Sequence, residues 1–191
     1  MRSWLSVYSA DAKSKEGSRH TDCSTIIQLS NKMDNSLLAV RGINHKYIVV
    51  GRSELQFYNR SYASLISKKR ITLASGSAYV RSIGTTMLMV AANPENCGGI
   101  DNAATVICEL ADNQTDFISE VLSDAHFFPR AAVNRLGWIL DYCAEVTCLE
   151  DLEKYCTLSS EPTMLSPSRC RMGKVNKRWN VIENRRIEVD V

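Results

Sequence analysis

The order of apolar and polar positions changes character twice along this chain. Over residues 1 to 36 the pattern is polar and weakly periodic: "SADAKSKEGSRHTD" reads as a loop, and "CSTIIQLSNK" is compatible with either a strand or a short helix. From Leu37 to Val80, short β-rich runs succeed one another: "SLLAV", "HKYIVV", "LQFYN", "RITLA" and "SAYV". Turn-like segments such as "RGIN" and "GRSE" separate them, which predicts a meander or a curved sheet. From about Ser82 the period becomes helical. "SIGTTMLMVAAN" is apolar until Pro94 stops it, since the proline ring excludes continuation. In "IDNAATVICELAD", Ala103, Val106, Ile107 and Leu110 fall on one face, with Asp101 near the cap. Phe117, Val121 and Leu122 mark a third helix. Pro129 opens a fourth in which Val133, Leu136, Gly137 and Leu140 share a face, and Gly137 leaves room for another element to approach. Thr147 and Glu150 have the spacing of a capping box for a fifth helix carrying Leu149, Leu152 and Cys156 inward.

The carboxy-terminal stretch "KVNKRWNVIENRRIEVDV" alternates again. Trp179 and Val181 on one run, and Ile187, Val189 and Val191 on the next, predict a hairpin turning around "ENRR". The fold class is therefore α+β, with a strand-rich amino half, a helical middle and a closing carboxy-terminal β-hairpin. Residues 1 to 36 form a separate segment, and 37 to 191 are expected to make one cooperative unit.

Composition adds constraints. At 191 residues, 45% hydrophobic and 23% charged, the chain has globular proportions and is long enough to bury a core. No window approaches the roughly 18 apolar residues of a spanning helix, and the first residues are too short and polar an element for a signal peptide, so a cytoplasmic protein without a membrane partner is expected. Seven cysteines without an export signal imply reduced thiols. Cys143, Cys148, Cys156 and Cys170 include no CxxC pair and have irregular gaps for a zinc site, so no metal or cofactor is expected.

The net charge of +2 says little, but its distribution says more. From Arg169 to Val191 there are seven Lys or Arg against three acids, out of 23 basic residues in all. A second cluster is "SKKR" at Ser67 to Arg70. Arg169, Arg171, Lys174, Asn176, Lys177 and Arg178 are the candidate contacts to an acidic partner or nucleic acid, with Trp179 stacking on a base or, more in keeping with its setting, anchoring the loop.

Catalytic signatures are missing: there is no GxSxG, HExxH, GxGxxG or GxxxxGK[ST] pattern. His20, His45 and His126 lie in unrelated contexts. Gly98 and Gly99 precede a helix as a phosphate-cradling turn would, although glycine freedom in an ordinary turn explains them as well. Asp101 and Asp141 stand near helix ends, where capping is the simpler role. The chain is read as non-enzymatic; a nucleic-acid-binding module and a divergent nuclease are the alternatives.

"TTMLMVAANPENCGGIDNAATVICEL", then "AAVNRLGWILDY", then "LSPSRCRMGKVNKRWNVIENRRIEVD" together resemble the AbiEi family, the antitoxins and transcriptional regulators of type IV toxin-antitoxin systems in abortive infection. The likeness runs from about residue 70 to the end. It implies a phage-defence antitoxin that counteracts a nucleotidyltransferase-like toxin and regulates transcription of its own operon by DNA binding. The implied partners are that toxin and operator DNA. Positions carried over by motif are Gly98, Gly99, Arg135, Leu136, Gly137, Gly173, Asn176, Arg178, Trp179 and Asn184, most of them structural in character. Met89 stands where the family often has an acid, and the residues before 70 show no recognition helix followed by a wing.

Overall fold

The computed structural model describes residues 65–73, 76–113, 116–156 and 161–189, together with five short strands nearer the amino end. The loop expected over residues 9 to 22, His20 and His45 lie outside the described residues. The chain forms two compact units, Met1–Ser82 and Ile83–Val191. The division thus coincides with the strand-to-helix change of period, whereas the sequence pattern suggested a boundary after residue 36.

The first unit is all strand among its described residues. β1 (Ser6–Val7) pairs antiparallel with β2 (Ile27–Gln28). β3 (Ser36–Ala39), β4 (Tyr47–Val50) and β5 (Ser53–Phe57) form a sheet in the order β3-β5-β4. All three coincide with expected β-rich runs. The connectivity differs from a simple meander, because β3 lies parallel to β5. β6 (Lys68–Leu73) and β7 (Gly76–Arg81) make an antiparallel hairpin, and Lys68 to Arg70 of the "SKKR" cluster open β6. Within it, the buried Arg81 guanidinium donates to the Ile66 carbonyl at 2.6 Å.

The second unit is built around α1 (Ile83–Ala92), which packs on α2 (Ile100–Asp112), α3 (Phe117–Asp124) and α4 (Arg130–Tyr142). A helix touched on several sides is apolar all round, as "IGTTMLMVAA" is, with Thr85, Met87, Leu88, Val90 and Ala91 buried. Pro94 opens a 3-10 turn, Pro94–Cys97, and Gly98 and Gly99 at φ 83° and 107° redirect the chain into α2. α5 (Glu150–Cys156) packs on α4. It starts later than the Thr147 capping box predicts. Cys148 adopts a left-handed φ of 63°, and the Leu149 carbonyl accepts the first helical bond from Glu153 N–H at 2.9 Å.

The sheet of this unit holds β8 (Thr163–Met164), β9 (Lys174–Asn176) and β10 (Val181–Glu183) in the order β8-β10-β9, with β10 parallel to β8 and antiparallel to β9. A closing hairpin is present but sits one turn earlier than the alternation suggests. Its turn is residues 177–180, with Asn180 at φ 50°, while Ile187 and Val189 belong to no strand. Side-chain chemistry sets this register. Asn176 Oδ1 accepts the Trp179 backbone N–H at 3.2 Å, and Arg185 pairs with Asp101, drawing residues after Glu183 onto the first turn of α2. β8, inside a segment that reads as a polar loop, exists because β10 needs a second neighbour: Thr163 N–H donates to Asn180 O at 2.9 Å and Leu165 N–H to Ile182 O at 3.0 Å.

The sheet is attached to α4 by Trp179, which is 0% exposed. Its ring fills the notch left by Gly137. A Cβ on Gly137 would lie 2.1 Å from Trp179 Cε3 and 2.2 Å from Cζ3. Gly137→Ala should therefore lower stability by about 3 kcal/mol, at the upper end for overpacking, seen as a reduced urea midpoint with unchanged slope. A wild-type midpoint in the variant would mean that the ring can move aside.

The described thiols divide by environment. Cys97, Cys108 and Cys156 are buried, Cys143 is half-buried, and Cys148 and Cys170 are exposed. Burial pushes Cys108 and Cys156 up to about 12 and Cys143 up to about 11, so at pH 8 they remain protonated and unreactive. Maleimide labelling of the native protein at that pH, read by peptide mass, should mark Cys148 and Cys170 and leave the three buried thiols until denaturant is added.

A basic groove between α4 and the closing hairpin

A groove of about 1010 Å³ runs along the carboxy end of α4 and the β9-β10 hairpin. Trp138, Tyr142 and Cys143 come from the helix side. Met172 to Arg178 (excluding Gly173) and Glu183 to Ile187 come from the hairpin and the residues on either side of it. Five of the lining side chains are cationic (Lys174, Lys177, Arg178, Arg185 and Arg186) and one, Glu183, is acidic.

Two of those cations are committed to the fold. Arg178 donates through Nη1 to both Asp141 oxygens, at 3.0 and 2.9 Å, and through Nε to Glu153 Oε2 at 3.1 Å. Its guanidinium also lies 5.1 Å from the Trp179 ring centre. The hydrogen bond to Glu153, with the Asp141 charge beside it, raises the Arg178 pKa above its already high ordinary value. Arg185 is held by Asp101, whose other oxygen accepts the Glu188 backbone N–H at 3.4 Å. By contrast, Lys174, Lys177 and Arg186 are exposed, and among the described residues no carboxylate pairs with them. Their charge faces the groove uncompensated.

The groove wall is braced from behind. Trp179 Nε1–H donates to Asp141 Oδ2 at 2.6 Å, so one carboxylate holds both the indole and the guanidinium next to it. Trp138 Nε1–H donates to Glu183 Oε1 at 3.0 Å, and Asn176 Nδ2–H reaches the same oxygen at 3.1 Å. Asn184 bridges back to the β8 side, accepting from Ser166 N–H at 2.9 Å and donating to the Ser166 and Cys170 carbonyls. Gly173 allows this crossing, since a Cβ there would stand 2.3 Å from the Glu183 carbonyl oxygen. Deeper in, Arg135 is 7% exposed and donates to Ala91 O and Met164 O, both at 2.9 Å, tying the last turn of α1 to β8 through α4. Burial lowers its pKa to about 10, and the Glu95 carboxylate opposes that shift, so it stays charged at neutral pH.

The candidate residues therefore separate. Lys174, Asn176, Lys177 and Arg178 line the groove. Asn176 does so with both ends of its amide already bonded inside the hairpin. Arg169 is exposed and Arg171 donates to the Pro162 carbonyl at 3.1 Å; neither lines the groove. Gly98 and Gly99 form a turn and do not line the groove, while Arg135, Gly137 and Trp179 stand behind it as packing. Asp101 and Asp141 are each bound to an arginine, on different elements. Among the described residues no group of three His, Cys, Asp or Glu is placed to hold a metal ion. Sequence reasoning missed Trp138, Tyr142, Met172, Val175 and Arg186. The i, i+4 aromatic pair in "WILDY" was the available signal for the first two.

Comparison with known proteins finds no family model, no curated protein and no solved structure that matches this chain.

Asp141 is the residue on which the groove's geometry can be tested. Asp141→Ala strands the buried indole N–H of Trp179 and releases Arg178, and should cost about 2–3 kcal/mol. Asp141→Asn keeps a carbonyl acceptor for one of them and should cost clearly less. Chemical denaturation followed by tryptophan fluorescence measures both, and equal losses would show that the charge, not the acceptor, matters.

Proposed function

We propose that this chain works by binding, as an antitoxin-type protein that counteracts a nucleotidyltransferase-like toxin through the groove between α4 and the closing hairpin. The observation that carries the reading is the division of cations: Arg178 and Arg185 are neutralised by Asp141, Glu153 and Asp101, while Lys174, Lys177 and Arg186 project unpaired from the same wall. A fold that neutralises some of its cations and leaves neighbours open presents a local positive field in a concave surface, which favours an anionic partner.

The ordered motifs that resemble the AbiEi family support the toxin side of this reading. Several residues carried over from that resemblance, Arg135, Gly137, Gly173, Asn176, Arg178, Trp179 and Asn184, join α4, β8 and the hairpin into the support of the groove. Regulation of its own operon belongs to the same proposal. Among the described residues no helix is long and apolar enough to cross a membrane, and action in the cytoplasm belongs to the proposal.

The test is growth rescue. Co-expressed with the toxin of its own operon, the wild-type chain should restore growth, and the Lys174→Glu/Lys177→Glu variant should not. Both side chains are exposed, so the variant should keep the wild-type melting temperature within the small range of surface substitutions. A wild-type chain that fails to rescue, or a charge-reversed one that rescues fully, removes the proposal.

A further inference from the structure

We infer that the groove takes single-stranded nucleic acid, with an unstacked base on Tyr142 and backbone phosphates along Lys174, Lys177 and Arg186. This rests on the reading of the groove as a surface for an anionic partner and names a nucleic-acid ligand for it beside the toxin.

Tyr142 ends α4 and is 53% exposed, although large aromatic side chains usually find cover. Its ring stacks on Trp138, with centroids 5.2 Å apart and planes 23° from parallel. One face of the phenol is thereby covered, and the half-exposed ring lines the groove beside Trp138. The platform is held from below. Trp138 is fastened by its bond to Glu183, and Glu183 in turn by Asn176. A ring already ordered in this way loses little freedom when something stacks on it. Among the described residues the Tyr142 hydroxyl has no hydrogen-bond partner, so nothing else in the described fold uses this side chain's polar end.

Around the platform, Met172 and Val175 are 74% and 42% exposed, apolar surfaces beside the three open cations. Aromatic faces interleaved with cations in a groove are the requirements of a single strand, which offers a π-face and a phosphate at every nucleotide. A duplex keeps its base faces stacked and would use only the cations. An acidic peptide would likewise use the cations and apolar rim but has no planar group to match an open, pre-stacked ring.

Fluorescence anisotropy of the full chain decides this, with labelled oligothymidylate and oligouridylate as single strands, a mixed-sequence duplex of equal length, and an oligoglutamate peptide. Both single strands should bind more tightly than the duplex and the peptide, and their ranking separates RNA from DNA as the natural source. Tyr142→Ala should weaken single-strand binding about tenfold, the lower part of the range for one stacked base, with an unchanged salt slope, while Tyr142→Phe keeps wild-type affinity. Lys174→Glu/Lys177→Glu should flatten the salt dependence by roughly 1.4 in log–log slope. Wild-type affinity in Tyr142→Ala, or duplex or peptide binding equal to that of the single strands, overturns the single-strand assignment and leaves the groove as a general anion site. An unchanged affinity and salt slope in the charge-reversed variant, for every probe, instead overturns the binding reading beneath it.

Discussion

The second unit depends on one packing event, the entry of the Trp179 ring into the notch at Gly137. The ring is fully buried, and only a residue without a Cβ leaves space for it on α4. Burying a tryptophan contributes about 4 kcal/mol by area, a large part of the ~5–15 kcal/mol that holds a domain together. The indole also carries a polar edge that has to be satisfied where it is buried, and Asp141 does this one turn along the same helix. A carboxylate placed there needs a counter-charge, which Arg178, adjacent to the tryptophan in sequence, supplies. Gly137, Asp141, Arg178 and Trp179 therefore form one interlocked arrangement in which each residue answers a requirement created by another.

That arrangement explains why the basic tail does not behave as a uniform patch. Cations required by the fold are held by partners, carboxylates at the surface and carbonyls in the interior. Arg178 belongs with Asp141 and Glu153, Arg185 with Asp101, and Arg135 with two carbonyls in the interior. The remaining cations beside them have no such role, and their charge reaches solvent inside a concavity, where it acts over about a Debye length. Counting basic residues in the tail overstates the usable charge; tracing each guanidinium and ammonium to its partner yields the smaller set that a ligand would meet.

The helices and most strands were legible because local rules decide them. Pro94 and Pro129 punctuate the helical region, the 3.6 period marks α2 and α4, and the β-rich runs of the first unit coincide with β3, β4, β5, β6 and β7. The parts that were not legible are set by partners distant in sequence. β8 exists only through its parallel pairing with β10, about eighteen residues away. The hairpin turn moved because Asn176 and Asp101 hold groups that alternation cannot report. Parallel pairing of β3 with β5 is likewise a tertiary choice. Gly137 was readable as a place of close approach, and Trp179 as its neighbour only once the fold joined them.

Two tryptophans join α4 to the hairpin: Trp179 reaches from the sheet into the notch at Gly137, and Trp138, the next residue of the helix, reaches out to Glu183 on β10. Both indole N–H groups end on carboxylates of the unit's own framework, so neither is available to a ligand. The aromatic surface that the groove leaves half-exposed is then Tyr142, one turn beyond Trp138 and stacked on it. A side chain that contributes little to burial yet is held in one orientation by residues that contribute much is where a rigid scaffold offers a binding surface, because its substitution changes the surface without disturbing the packing that positions it.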